Sequence, residues 1–166
     1  TRTAPAGPAN FRVAFGACCR IQFDRQQRIF DMVRALEPDM FFWLGDNIYA
    51  DSDQPTALAD LYRRQRVVES LEPLLRTTPQ LAIWDDHDFG YNDSDGRNPI
   101  KAESLQTFRN FWANPGYGEP GNPGVYFKQH YGGVDFFVLD GRYHRDVTDK
   151  IDNADKTMLG AAQKAW

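Results

Sequence analysis

Four short runs hold most of the side chains able to bind a cation, move a proton or grip an anion. They are Cys18-Cys19-Arg20, Gly45-Asp46-Asn47-Ile48-Tyr49-Ala50-Asp51, Asp85-Asp86-His87-Asp88 with Asn92 close behind, and Asp140-Gly141-Arg142-Tyr143-His144-Arg145. The third is the sharpest. Its three carboxylates repel one another and raise each other's pKa unless a cation lies among them. A multivalent metal turns that repulsion into affinity, because hard cations prefer oxygen ligands; a solvated acidic loop with Asx turns is the alternative. Asp46 follows a glycine that lets the backbone turn sharply, so it either points into a crevice or caps a helix. Tyr49 either packs or ligates a strongly acidic ion such as Fe(III), since a free phenol titrates near ~10. Cys18 is a buried small hydrophobe or a thiolate ligand. Arg142 and Arg145 lie close to Asp140 and either form ion pairs or hold an anionic substrate by paired contacts. His130 and His144 have no partner visible in the sequence.

The elements that must position these runs follow from periodicity. Phe11 to Ala17 alternates large apolar residues and then turns small, a strand opening into a loop at Cys18. Asp24 is placed to cap a helix from Arg25 to Leu36, with Ile29, Val33 and Leu36 on one face. Met40 to Leu44 is a continuous apolar run, as expected of a strand buried on both faces. Thr56 is expected to cap a second helix carrying Leu58, Leu61, Tyr62 and Val68, with a shorter helical turn around Leu74 and Leu75. Pro79 ends it, and Leu81 to Trp84 is the next buried strand. Lys101 to Trp112 reads as a helix. Val125 to Tyr131 and Val134 to Leu139 flank Gly132-Gly133, a hairpin signal. Strands alternating with helices imply parallel βαβ units, and the hairpin adds antiparallel strands, an α/β class with a mixed sheet. Each reactive run then falls at the carboxyl end of a strand, where ligands gather in open α/β sheets.

Composition bounds the rest. The chain has 166 residues, 19 basic against 23 acidic, which points to one domain with a net charge of −4. Its 42% hydrophobic and 14% aromatic content excludes disorder. The acidic balance argues against nucleic-acid binding, and no apolar run approaches the ~20 residues of a membrane span. The two cysteines are adjacent, so an ordinary loop-closing disulfide between them is strained and both thiols are expected free. Residues 1–10 read as a Pro- and Ala-rich linker and 11–166 as the domain. No signal peptide is visible, and the absence of an initiator Met, with a helix running into Trp166, reads as an excerpt of a longer protein.

Six segments carry a resemblance: FGACCR (15–20), FFWLGDNIYAD (41–51), IWDDHDFGYND (83–93), KAESLQTFRNFW (101–112), VLDGRYHR (138–145) and DKTMLGAAQKAW (155–166). Together they resemble the PhoD-like alkaline phosphatases and phosphodiesterases, of the calcineurin-like metallophosphoesterase superfamily. The resemblance implies an α/β/β/α sandwich, here its N-terminal portion, and hydrolysis of phosphate mono- or diesters at a two-metal site of Fe(III) and Ca(II). By the same resemblance the metal ligands are Cys18, Asp46 as the bridging carboxylate, Tyr49 on ferric iron, Asp86, and Asn92 on the calcium side. His87 is expected to contact the substrate phosphate and Arg142 to lie near it. A secreted or periplasmic location is implied as well. The superfamily's later metal-binding histidines have no counterpart in this stretch, so the chain is expected to supply about half of the metal shell and to be inactive alone. Rival readings are a phospholipase D-like phosphodiesterase, a non-catalytic metal- or anion-binding module, and an α/β domain whose polar strand ends are structural.

Overall fold

The computed structural model describes residues 4–166; residues 1–3, at the head of the expected linker, lie outside the described residues. The centre of the fold is a three-stranded parallel sheet in the order β1 (Val13–Gly16), β2 (Met40–Leu44), β3 (Gln80–Ile83). Helix α1 (Ile29–Ala35) joins β1 to β2. Helices α2 (Pro55–Arg66) and α3 (Leu71–Thr77) join β2 to β3. Beyond β3 come the short α4 (Asp86–Phe89) and then α5 (Lys101–Phe111). Two-residue strands β4 (Gly118–Glu119) and β5 (Asn122–Pro123) precede the hairpin β6 (Phe127–Tyr131) and β7 (Val134–Val138), and α6 (Gly160–Ala165) closes the chain.

The five residues of β2 explain the layering. Alternate side chains leave opposite faces of a strand, and here both faces are apolar. Phe41 and Trp43 enter a core with Phe30, Leu58, Tyr62, Leu74, Trp84 and Phe108, while Met40 and Phe42 enter a second core with Leu81, Phe127 and Val138. Helices therefore cover one face and the hairpin the other. Trp166 packs on Phe137 and Tyr126, with Phe137 leaving β7 on the opposite face from Phe136 and Val138. The order is helix, parallel sheet, hairpin, with Trp166, just past α6, on the outer face of the hairpin.

Three details differ from the periodicity reading. The hairpin forms its own sheet and packs face to face on the parallel one, so the sheet is not mixed. The first helix starts at Ile29 instead of Arg25, because Asp24 accepts from the Gln26 N–H at 2.9 Å in a turn and Gln27 takes a left-handed conformation (φ 44°). Gln27 is drawn out of the helix by its partners: it is buried, accepts from Cys19 Sγ and Gln65 Nε2, and its carbonyl accepts from Ser70 Oγ. Thr56 lies one residue inside α2, which opens on Pro55, a residue suited to a first turn because it has no N–H to leave unpaired. Gly132 and Gly133 both have positive φ, as the two-residue hairpin turn demands.

Candidate active site and metal centre

Parallel strands place all their carboxyl ends on one edge, and the loops there converge. The β1–β2 contact continues past the strands: Cys18 N donates to Gly45 O at 3.2 Å, and Cys19 N to Asp46 O at 2.8 Å. Gly45 (φ 101°) turns the chain where a Cβ would stand 2.8 Å from Asp85 Cβ and 2.9 Å from Asp85 N, so only glycine lets these loops meet. Cys18, Asp46 and Asp51 have φ values of 59°, 51° and 46°. Each is held in the left-handed region that side chains avoid, a strain retained here by the surrounding contacts.

Asp46, Asp86 and His87 bring one ligand atom each to within 4.8 Å of one another. Asp46 Oδ2 accepts from Tyr49 Oη at 3.1 Å and from Cys18 Sγ at 3.6 Å, whereas its Oδ1 is buried with no hydrogen-bond partner. An orphaned buried carboxylate oxygen, on a group whose other oxygen meets a thiol and a phenol, is an expected mark of a cation site. Burial raises the Asp46 pKa, His87 opposes that shift, and Asp86 adds to it. Burial also raises Tyr49, helped by its bond to Cys18 and the charge of Asp46. Burial pushes at Asp86 too, but the Asp93 N–H (2.6 Å to Oδ2), Arg142 and His87 outweigh it and hold Asp86 below the usual carboxylate range.

His87 Nδ1 lies 2.5 Å from Asp51 Oδ1, and its ring packs on Tyr49 with centroids 4.1 Å apart. That leaves Nε2 for the site. Arg142 is 7% exposed and contacts three groups: its Nε pairs with Asp85, one terminal nitrogen lies 3.3 Å from Asp86 Oδ1, and the other donates to Ser94 O at 3.1 Å. Asn92 is exposed and donates to Asp93 Oδ2, beside the residue whose N–H holds Asp86. The two cysteines divide their roles. Cys18 is exposed beside Asp46, while Cys19 turns inward between Gln27 and Gln65, where burial pushes its thiol up to about 12. His130 pairs with Asp135 on the hairpin and His144 Nε2 bonds Pro123 O, so neither belongs to the cluster.

Two carboxylates matter here that the spacing alone does not single out. Asp51 orients His87. Asp88, 1% exposed, accepts from Asn47 N (3.0 Å), Asp85 N (3.1 Å) and Tyr62 Oη (3.0 Å), pinning the β2 and β3 loops together. Only a buried, fully donated carboxylate distinguishes it from its neighbours in the acidic run.

An α/β chain with carboxylate, imidazole and thiol groups gathered at its strand ends defines a class; likeness to known proteins places it more closely. The family model for PhoD-like phosphatases matches residues 13–166, and the chain belongs to that family. Among solved structures, that of PhoD superposes with a TM-score of 0.80 at 21% identity, which establishes the likeness of fold. The match covers 99% of this chain and 40% of PhoD, so the chain spans less than half of that relative's length. No curated protein matches the chain.

Proposed function

We propose that the protein is a metal-dependent phosphoric ester hydrolase, acting on phosphate mono- or diesters. The observation that carries this reading is the convergence of Asp46, Asp86 and His87 beside an unpartnered Asp46 oxygen, in a chain of the PhoD-like phosphatase family. The donors fit two kinds of ion. Thiolate and phenolate from Cys18 and Tyr49 suit Fe(III), while carboxylate and amide oxygens from Asp86 and Asn92 suit Ca(II). Asp46 supports a bridging role, since one oxygen faces Cys18 and Tyr49 and the other is orphaned. The family resemblance also carries a secreted or periplasmic location, which fractionation of the source cells tests.

When bound, the metals supply Lewis acidity toward the phosphoryl oxygens and lower the pKa of water. Asp46 would hold both ions by its two oxygens. Asp51 accepts from His87 Nδ1 and stabilises the imidazolium, whose Nε2–H then gives its proton to the leaving oxygen. Arg142 offsets the charge of Asp85 and Asp86, so that an anionic ester approaches an acidic loop without full repulsion.

Elemental analysis with a visible spectrum is the direct test. Iron near one equivalent, with a tyrosinate-to-iron charge-transfer band lost in Tyr49→Phe, supports the assignment; a metal-free protein that also fails to load overturns it. Asp46→Asn is expected to abolish metal-dependent turnover of a nitrophenyl monoester and of the bis-ester, and the ratio of the two wild-type rates decides the ester class. Turnover that survives in Asp46→Asn removes the bridging role.

A further inference from the structure

We propose that Arg20 binds substrate, its guanidinium receiving phosphoryl oxygens of the ester at the mouth of the site. The inference rests on the hydrolase reading above and names a residue that reading does not use. Arg20 follows the cysteine pair directly. Its Cζ lies 4.7 Å from the centroid of the Phe23 ring and 5.0 Å from that of Tyr49, the same ring on which His87 packs. The guanidinium therefore lies on a ligand candidate of the centre and shares that ring with the imidazole assigned to the leaving oxygen.

Two properties separate Arg20 from Arg142. The first is free donor capacity. Arg142 is buried and engaged with Asp85, Asp86 and the Ser94 carbonyl. Arg20 is exposed, and among the described residues its side chain has no carboxylate partner and makes only the two ring contacts. A guanidinium held on aromatic faces keeps its N–H donors in its own plane, where they match the oxygen pair of a phosphate. The second is preorganisation. Arg20 O accepts from Phe23 N at 3.0 Å and Asp24 N at 3.2 Å, and Gln22 Nε2 ties the same turn to Tyr49 O at 2.9 Å. Both the backbone and the rings fix the cation before an anion arrives, which lowers the entropy lost on binding. An exposed guanidinium on the Tyr49 ring, paired with no carboxylate among the described residues, is free to take an incoming anion.

The test uses the metal-loaded protein, with inorganic phosphate as the probe and product inhibitor. Arg20→Gln is expected to raise the phosphate inhibition constant and the ester KM about tenfold or more, the loss typical of a paired charge-assisted contact, with metal content unchanged. Arg20→Lys, which keeps the charge but loses the planar fork, is expected to recover part of that affinity. A role confined to packing predicts instead a lower melting temperature or lost metal, with phosphate affinity per loaded site unaltered; that result overturns the proposal. So does an unchanged inhibition constant in Arg20→Gln, and in that case the hydrolase reading stands. A wild-type protein that loads metal yet neither hydrolyses ester nor binds phosphate overturns both.

Discussion

Asp46 and Asp88 are both buried carboxylates at neighbouring strand ends, and their surroundings are opposite. Asp88 is saturated by the N–H groups of Asn47 and Asp85 and by the Tyr62 hydroxyl, yet burial still pushes its pKa up to about 7. Asp46 keeps one oxygen without a donor. The first carboxylate braces the loops, and the second keeps an oxygen open, as its proposed metal role requires. Replacing Asp88 by alanine leaves three donors unpaired in the interior, a loss of roughly 3 kcal/mol or more by denaturant unfolding, since each buried unsatisfied group costs about 1–3 kcal/mol. Because Asn47 adjoins Asp46 and Asp85 adjoins Asp86, metal affinity is expected to fall with stability. Asp88→Asn retains one acceptor oxygen and is expected to recover part of both. The acidic run is conspicuous in the sequence, but that Asp88 braces the loops is decided by Tyr62 and Asn47, contacts across many residues that no local pattern reveals. Arg142 shows the same limit: its position near the site is legible, and its commitment to Asp85 and Asp86 is not.

At the scale of elements, local patterns decide more. The run Met40–Leu44 and the pair Gly132-Gly133 specify their strand and turn because period and backbone conformation act on neighbours. The start of α1 is illegible for the converse reason: Gln27 leaves the helix to bond Cys19, Gln65 and Ser70, all contacts made by tertiary folding. Likewise, an antiparallel hairpin pattern does not say whether it extends a sheet or lies across it. Gly45 illustrates the coupling of element to site. Its substitution by alanine places a Cβ within 3 Å of Asp85 backbone and side chain, in a conformation that L residues avoid. Gly45→Ala is expected to destabilise the protein by roughly 1–3 kcal/mol and to separate Asp46 from Asp86. Calorimetry paired with a metal titration measures the two effects, and a variant with unaltered metal affinity shows that the loops can part without harm.

At the scale of the molecule, one buried carboxylate joins the layers. Asp140 accepts from Trp84 Nε1 at the end of β3, from the N–H groups of Val125, Arg142 and Tyr143, and its own N–H and carbonyl are bound by Gln163 of α6. Asp140→Ala is expected to lower global stability by roughly 3–5 kcal/mol, read by tryptophan fluorescence because Trp84 loses its partner. A loss confined to α6 argues that the layers fold independently. The layering itself has a consequence for how an ion is held. The donors proposed above, Cys18, Asp46, Tyr49 and Asp86, come from three segments that meet only when β1, β2 and β3 are in register. In the unfolded chain they are dispersed and have little joint affinity. An ion captured there acts as a reversible cross-link among three loops, so chelation and melting become two views of one equilibrium. At a free ion concentration a hundredfold above its dissociation constant, that clamp adds about 2.7 kcal/mol to the folded state.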